Sequence, residues 1–409
     1  MKPNDFLRSL FDSAVRVADP MQSLAPYLPP KPEGRVVVIG AGKASARMAE
    51  AVEAEWGPCE GLVITRYGYG RPCQGIEIVE ASHPVPDAAG EAATKRLVAL
   101  LGTLTADDFV LALISGGGSA LLCAPVEGIA LQEKQQLTAD LLASGAPIGT
   151  INGIRKEISA VKGGRLAAAA YPAEMLSLMI SDVPGDNPGD IASGPTVGHE
   201  GSAASALKEL EKWGVMPAPS IARYLQDGGD PVLPDDPRLA KTKNVIYAAP
   251  SQSLKEAAEL ARADGYITEM LGDSIEGEAR DVAAEHAAIA ASAPPGTVIL
   301  SGGELTVTRR GDGVGGPNAE YALALAIALD GKHNIYALAC DTDGVDGAAE
   351  VAGAVIGPET LAKARALGID PQEALDRNDA HSFFAAIGDQ VVTGPTLTNV
   401  NDFRAILIL

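Results

Sequence analysis

The fold of this chain is decided by the stretch Val36-Val37-Val38-Ile39-Gly40-Ala41-Gly42-Lys43-Ala44-Ser45. The run of β-branched residues predicts a strand, the glycines predict a tight turn, and the residues from Ser45 onward predict a helix. Strand, turn and helix in this order are typical of an α/β fold. The free N–H groups at the start of such a helix suit an anion, so the turn is a candidate anion-binding element.

The turn matches neither common nucleotide motif in full. Ser45 stands where the dinucleotide fingerprint has its third glycine. Val37 and Ala44 stand where a Walker A loop has its first glycine and its Ser or Thr. The informative residue is Lys43, a cation in the mouth of the turn, which we predict to be catalytic. The alternative is an ordinary strand-to-helix turn whose lysine is simply solvated.

Apolar β-rich runs and Ala-rich helical runs alternate along the rest of the chain. The alternation predicts an α/β fold with mainly parallel sheets and helices on both faces. Turn and linker residues between 228 and 242 predict a boundary. We therefore expect a larger N-terminal α/β domain over residues 1–240 and a smaller C-terminal α/β domain over residues 241–409. In the second domain we expect a helix over residues 276–291 and a short strand over residues 298–300.

Composition excludes several classes of protein. The 409 residues are 46% hydrophobic but only 4% aromatic, which suits a core of small aliphatic side chains between helices and a parallel sheet. The net charge of −21 repels nucleic acid and anionic membranes. No apolar run is long enough to span a membrane, so we expect a cytoplasmic protein with neither kind of partner. The four cysteines, which form no CxxC pair, indicate free thiols rather than zinc ligands: Cys59, Cys73, Cys123 and Cys340.

Three further segments of the N-terminal half carry chemistry. A glycine loop after the predicted strand Phe109–Ile114 predicts a backbone cradle for phosphate, or else a flexible turn capped by its last serine: Ser115, Gly116, Gly117, Gly118 and Ser119. Arg155, Ser159 and Lys162 would share one helical face, with Arg165 following, and could hold a carboxylate or phosphate. The alternative is a solvated charged face.

An acidic loop follows the predicted strand Glu174–Ile180. Asp182, Asp186 and Asp190 recur at a spacing of four without helical sequence between them. Ligands of open α/β sheets gather at the carboxyl ends of strands. One of these carboxylates could therefore activate a hydroxyl and another could hold a metal, unless the segment is an ordinary surface loop.

The C-terminal half adds glycine loops and carboxylates at strand ends, which indicate phosphate and magnesium chemistry. Ser301-Gly302-Gly303-Glu304 follows one apolar run, and Asp341, Asp343 and Asp346 follow another. The aspartate spacing resembles the start of an EF-hand, but Val345 occupies a ligand position and no later glutamate fits, so calcium is rejected.

Taken together, nine motifs in order along almost the whole chain resemble the glycerate 2-kinase family, whose C-terminal half is known as the MOFRL domain. The segments that carry the resemblance are Gly40–Ala44, Ser115–Ser119, Lys162-Gly-Gly-Arg165, Ser181–Asp186, Ser193-Gly-Pro-Thr196, Ser301-Gly-Gly-Glu304, Gly315-Gly316-Pro317-Asn318-Ala-Glu320, Asp343–Gly347 and Gly394–Val400. The resemblance implies a Rossmann-like N-terminal domain, a MOFRL-type C-terminal domain, and ATP-dependent phosphorylation of D-glycerate at its 2-hydroxyl in the cleft between them.

With ATP and Mg²⁺ as cofactors, we predict four groups of site residues. The predicted catalytic residues are Lys43, Asp186 and Asp190. The predicted substrate- and phosphate-binding residues are Ser115, Gly116, Gly117, Gly118, Ser119, Arg155, Lys162 and Arg165. The predicted nucleotide-binding residues are Gly302, Gly303, Glu304, Asn318, Thr398 and Asn399. The predicted metal ligands are Asp182, Glu304, Asp341 and Asp343.

Two other functions stay open, and one residue departs from the family. An NAD(P)H-dependent hydroxypyruvate reductase would want the third glycine and an acid after the second strand, where Thr65 and Arg66 stand. A non-catalytic sugar-phosphate sensor would leave the acidic loops unexplained. The family often has arginine where this chain has Pro317, so another cation, such as Arg309, Arg310, Lys162 or Arg165, would have to replace it. The sequence is compatible with a homodimer.

Overall fold

The strand predicted by the opening stretch is the third strand in the order of a six-stranded sheet. The computed structural model describes residues 1–409. The strands of this first sheet are β1 Val36–Ala41, β2 Glu60–Arg66, β3 Ile76–Ala81, β4 Phe109–Ile114, β5 Glu174–Ile180 and β6 Thr242–Ala248. Their order is β3-β2-β1-β4-β5-β6, and the four pairs among β1 to β5 are parallel. The parallel α/β prediction is confirmed for this sheet.

The second sheet contains the other six strands. They are β7 Ile267–Glu278, β8 Thr297–Thr306, β9 Ile335–Asp341, β10 Gly353–Ile356, β11 Gln390–Val391 and β12 Asp402–Ile408. Their order is β11-β10-β9-β12-β8-β7. β7 and β8 pair in parallel, but β12 is antiparallel to both β8 and β9, and the β9–β10 and β10–β11 pairs are also antiparallel. The prediction of a mainly parallel sheet is therefore wrong for the C-terminal half, because its last strand enters the middle of the sheet in the opposite direction.

Helices and short 3-10 turns connect the strands. Those before β6 are α1 Pro3–Ala18, α2 Pro20–Ser23, α3 Ser45–Trp56, α4 Ala88–Leu101, α5 Gly118–Leu121, α6 Leu131–Ala143, α7 Ile148–Glu157, α8 Arg165–Ala170, α9 Ala203–Lys212 and α10 Pro219–Gln226. Those after β6 are α11 Pro250–Ala263, α12 Ala279–Ser292, α13 Pro317–Leu329, α14 Thr360–Ala366, α15 Pro371–Asp376 and α16 Ala380–Ile387. The 3-10 turns are Ala25–Tyr27, Pro184–Asp186, Ile191–Ser193 and Pro237–Leu239.

The chain divides into two units whose bounds differ from the predicted ones. The parallel-sheet unit comprises Ser23–Ser181 and Asp186–Tyr247. The mixed-sheet unit comprises Met1–Gln22, Asp182–Gly185 and Ala248–Leu409. The main boundary lies a few residues after the predicted position at 240. The first 22 residues, predicted to belong to the N-terminal domain, group instead with the C-terminal one.

Three local predictions are wrong. The predicted helix over residues 276–291 begins only at Ala279, because β7 continues through Glu278. Ser301–Glu304 is not a loop but part of β8, where Gly303 pairs with both Ile275 and Asp402. Lys162 does not continue the helix of Arg155, because α7 ends at Glu157 and the chain turns at Ile158.

Helix α1 shows why the N-terminus belongs to the mixed-sheet unit. Its apolar side buries Phe6, Leu7, Leu10 and Phe11 in one core with residues of α11 and of the second sheet. Phe11 and Phe403 of β12 place their ring centroids 6.0 Å apart. The helix therefore covers one face of that sheet. None of the helices is long and apolar enough to cross a membrane. All four cysteines are free thiols.

Replacing Leu10 tests this packing. The side chain is fully buried, so Leu10→Ala leaves a cavity and should lower the free energy of unfolding by about 2–5 kcal/mol in urea denaturation. The control is Asp12→Ala, which removes an exposed ion pair with Arg8 and should change stability by less than about 1 kcal/mol. Equal stability of the two variants would contradict the packing of α1.

Candidate functional site

Two turns at the carboxyl edge of the first sheet are bonded to each other. The turn after β1 donates from Lys43 N to Gly116 O at 2.8 Å. It also donates from Ala44 N to Ser115 Oγ at 3.0 Å. Ser45 Oγ then donates to Leu113 O at 2.9 Å. Lys43 is thus held by β4 as well as by its own strand, and the structure brings it together with the predicted glycine loop.

Glycine is required where these turns meet. A Cβ atom on Gly42, whose φ is +148°, would lie 2.0 Å from Ser115 Oγ and 2.6 Å from Ser115 O. Gly117 has a φ of +79°, and its Cβ position lies 3.1 Å from both Lys43 Cγ and His83 Cδ2. Lys43 and His83 therefore flank Gly117 from two sides. His83 could not be selected from the sequence, because it stands in no motif.

Ser119 does not cap a helix as predicted. Helix α5 starts at Gly118 with Gly117 at the N-cap position, so Ser119 lies inside its first turn. Its Oγ is 2.7 Å from Ser193 Oγ. This contact joins the glycine loop to the segment after β5. It makes Ser193, quoted above only as part of a motif, a site residue that the prediction did not include.

Backbone strain collects in that acidic segment. Asp186, Ala192 and Ser193 have φ values of +51°, +52° and +63°, a region that non-glycine residues seldom occupy. Such strain costs free energy and is often retained at functional sites. Asp190 accepts a hydrogen bond from Asn187 Nδ2 at 2.8 Å, and its Oδ1 lies 3.8 Å from Lys156 Nζ.

Two of the three predicted substrate cations are bonded to backbone carbonyls. Lys162 is fully buried, and Nζ donates to Leu122 O and Ala192 O. Burial lowers the pKa of its ammonium well below the usual value, and the charge of Lys134 lowers it further. Arg165 donates to Lys156 O, Glu157 O and Asp230 O. These two cations hold the loops of the site together.

Arg155 differs from the other two. Its Nε is buried without a hydrogen bond, and its side chain lines a cavity of about 650 Å³ together with Lys134. Lys134 itself is only 3% exposed, and no hydrogen bond reaches its Nζ. The sequence offered no reason to select Lys134, because a single lysine inside an amphipathic helix is usually solvated.

The mixed-sheet unit gathers its predicted residues at one sheet edge. The strand register places Asp402 of β12 directly beside Gly303 of β8 and beside Asp341 of β9. Asn318 Nδ2 donates to Asp402 Oδ1 at 2.6 Å and to Asp346 Oδ1 at 3.3 Å. Glycine, amide and carboxylate groups that lie up to a hundred residues apart in sequence thus meet at this edge.

Asp402 and Asp346 are two buried acids of this edge, and neither was among the predicted site residues. Burial raises the pKa of the Asp402 carboxyl to about 6, against the opposing effect of the Arg404 guanidinium. Asp346 accepts from the backbone N–H groups of Asn318 and Ala319, which start α13. Asn318 is therefore buried in a carboxylate network rather than presented to solvent.

The remaining predicted residues of this unit occupy several positions. Asp341 Oδ1 accepts from Asp343 N, and Asp343 Oδ1 accepts from Val345 N, so both acids shape the loop after β9. Thr398 Oγ1 donates to Ala18 O, and Asn399 Nδ2 donates to Asp182 Oδ2 at 3.2 Å. No group of three or more His, Cys, Asp or Glu side chains is arranged to hold a metal ion. The four predicted metal ligands therefore do not form such a group.

Pro317 has a structural explanation. It starts α13 directly after Gly316, a position where proline is favoured because its missing N–H would have no helical partner. Arg309 and Arg310 lie exposed on the loop before α13, and Arg310 N donates to Asn378 Oδ1 at 2.7 Å. These two are the cations close in sequence to the position that Pro317 occupies.

Comparison with known proteins agrees with this arrangement. Residues 6–226 match a family described as a domain of unknown function, DUF4147, and residues 297–402 match the MOFRL family. The chain is 37% identical to D-glycerate 2-kinase of Thermotoga maritima, over 97% of this chain and 96% of that one. It is 48% identical to an Agrobacterium vitis protein provisionally named hydroxypyruvate reductase, over 98% and 94% of the two chains. The crystal structure of glycerate kinase from Thermotoga maritima matches with a TM-score of 0.89 at 35% identity, covering 99% of each chain.

The fold and these matches define a two-unit α/β protein of the MOFRL class. The resemblance drawn from the nine motifs is confirmed. The chain belongs to the glycerate 2-kinase family.

Replacing Gly42 tests the contact between the two turns. In Gly42→Ala the new Cβ would overlap Ser115, so the turns must separate. We expect the free energy of unfolding to fall by about 1–3 kcal/mol more than in Gly68→Ala. Gly68 is the matched control, because its φ is also positive, at +80°, but a Cβ there meets nothing within 4 Å. Equal losses in urea denaturation would show that backbone conformation alone, not the contact, requires glycine.

Proposed function

We propose that this protein transfers the terminal phosphoryl group of ATP to the 2-hydroxyl of D-glycerate. The observation that carries the proposal is the similarity to a D-glycerate 2-kinase over nearly the whole length of both chains. In the transfer, the hydroxyl oxygen forms a bond to phosphorus, the bond to the ADP oxygen breaks, and the hydroxyl proton leaves. Protein groups contribute mainly by positioning the reactants and neutralising charge.

We assign the transferred phosphoryl group to Lys43 and the glycine loop. The backbone of Lys43 is bonded to Gly116 O, so the side chain projects from a fixed base over Gly117. A cation with a fixed position stabilises the charge of the transition state without having to reorganise. Ser119 and Ser193 close the loop on its other side through their hydroxyl contact.

We propose Asp186 as the group that accepts the hydroxyl proton. Asp190, the other predicted base, already accepts from Asn187 and lies within ion-pair distance of Lys156. Its two oxygens are therefore already engaged by protein groups and are less available to a substrate hydroxyl. Asp186 stands in a strained conformation that the surrounding turn maintains, which suits a residue held for chemistry.

We place the nucleotide at the edge of the mixed-sheet unit that Gly303, Asn318 and Asp341 form. Mg²⁺ supplies charge neutralisation to ATP in such reactions, and it usually keeps several waters and takes one or two protein carboxylates. Asp341 and Asp343 are the carboxylates of that edge assigned to this limited role: Asp341 is half-buried and accepts from the backbone N–H of Asp343, whose own side chain is fully buried. We therefore propose this pair, rather than a four-carboxylate site, as the protein's contribution to the ion.

The reductase remains the second candidate because the Agrobacterium vitis relative carries that name. Two observations speak against it. Ser45, at the third-glycine position, is buried and bonded to Leu113 O. Thr65, near the end of β2 where an acid would bind the ribose, donates to Gly42 O instead.

Replacing Lys43 tests the proposed mechanism. Lys43→Ala keeps the backbone bond to Gly116 O, so the free energy of unfolding should stay within about 0.5 kcal/mol of the unmodified protein. We expect kcat for glycerate phosphorylation to fall by about 10²–10³, as when one transition-state donor is removed. The control is Lys212→Ala, an exposed lysine of α9, which should leave kcat unchanged. Near-normal turnover of Lys43→Ala would remove Lys43 from the mechanism.

The reaction itself is tested by phosphorus NMR of the products from D-glycerate, ATP and Mg²⁺. We expect 2-phosphoglycerate, whose signal separates from that of 3-phosphoglycerate. The same preparation is assayed for NADH oxidation with hydroxypyruvate. NADH oxidation without a phosphorylated product would replace the kinase by the reductase.

A further inference from the structure

The parallel-sheet unit contains a cavity to which the proposed function assigns no step. It has a volume of about 650 Å³ and lies beside helix α6 and the segment after β3. Pockets of about 300–1,000 Å³ hold drug-sized ligands, so the cavity admits a molecule much larger than a three-carbon acid. Its lining combines apolar side chains with two cations: Pro84, Leu131, Leu142, Ala139, Lys134 and Arg155.

Neither cation of the lining forms an ion pair with a carboxylate. Lys134 is 3% exposed, and neither its Nζ nor Arg155 Nε makes a hydrogen bond. A charge buried without a partner costs several kcal/mol, and proteins rarely keep one. In a chain with a net charge of −21, two such cations at one cavity are unexpected.

The neighbouring groups do not compensate for these charges. Burial lowers the pKa of Lys134, the Cys123 thiol opposes that effect, and the Arg155 charge adds to it. Glu91 acts on Lys134 more weakly, and its Oε1 is bonded to Lys95 at 2.6 Å. Lys162, close enough for Lys134 to lower its pKa, adds another buried cation to the neighbourhood.

We propose that this cavity binds an organic anion, whose carboxylate or phosphate group contacts Lys134 and Arg155 and whose apolar body packs on Pro84, Leu131 and Leu142. The ligand supplies the negative charge that the surrounding side chains lack. The apolar lining selects an anion with a hydrophobic part. Pro84 of the lining directly follows His83, and the His83 ring lies beside Gly117 together with the Lys43 side chain. A bound anion would therefore lie near the turn that carries Lys43.

The test uses two probes and needs no turnover. Inorganic phosphate supplies the anion alone, and phenyl phosphate supplies the same anion with an apolar body. Isothermal titration calorimetry without ATP should show tighter binding of phenyl phosphate. Lys134→Met and Arg155→Met should each weaken it at least about tenfold, the loss expected for a charge-assisted hydrogen bond. The matched control Lys212→Met changes an exposed lysine and should bind both probes unchanged.

A stability measurement guards against variants that fail to fold. Lys134→Met removes an uncompensated buried charge and keeps most of the side-chain volume, so its Tm without ligand should equal or exceed that of the unmodified protein. Unchanged affinity for phenyl phosphate in both variants would overturn the proposal, as would a fall in Tm of Lys134→Met. Failure of the unmodified protein to bind either probe at millimolar concentration would overturn it as well.

A third arm separates the two sources of such an anion. If D-glycerate displaces phenyl phosphate, the cavity serves the acceptor of the proposed reaction. If D-glycerate does not displace it, the ligand is a separate organic acid or phosphate ester, and both results support an anion site. The Lys43→Ala variant should bind phenyl phosphate normally. Failure of the kinase proposal and failure of this one are therefore distinguishable, because binding is measured without catalysis.

Discussion

The candidate site of the parallel-sheet unit depends on one close contact, the meeting of the turn after β1 with the turn after β4. Ser115 Oγ and Gly116 O accept the backbone N–H groups of Ala44 and Lys43, and no side chain fits on Gly42 where the turns touch. These bonds fix the backbone from which the Lys43 side chain projects. The position of Lys43 is consequently set by the sheet, and the glycine loop is fixed by the same bonds that fix the lysine.

Most of the first sheet could be predicted from the sequence, because each of its elements carries a local signal. Strands β4 and β5 begin and end at the predicted residues. The direction of β12 had no such signal. All seven of its residues are buried. An apolar run predicts a strand that is buried on both faces of a sheet, but it does not indicate whether the strand is parallel or antiparallel to its neighbours. Its direction follows from the loop over residues 392–401, which returns the chain to the middle of the second sheet.

The sequence predicted which types of residue the site contains better than it predicted what each residue does. Lys162 and Arg165 stood out as cations in an acidic chain, but their donors are used on backbone carbonyls of nearby and distant loops. Asp402 joined the site through strand register, which no short motif encodes. Asp346 belongs to a quoted motif, but its contact with the start of α13 was not predictable from that motif. A motif shows which groups a segment can offer. Contacts between segments far apart in sequence decide whether those groups meet a ligand or the protein itself.

The features that lower the stability of the parallel-sheet unit are concentrated near its candidate site. Three non-glycine residues in strained conformations lie in the segment after β5. Two buried cations, Lys134 and Lys162, and the half-buried Arg155 lie near the cavity beside α6. Each of these features lowers stability, and none is needed to form a parallel sheet. The apolar strands and helices of that sheet, by contrast, have the structures that their local sequences favour. Residues that go against local preference are expected at functional sites, and here they lie together in one region. We therefore infer that function, rather than folding, determined those residues.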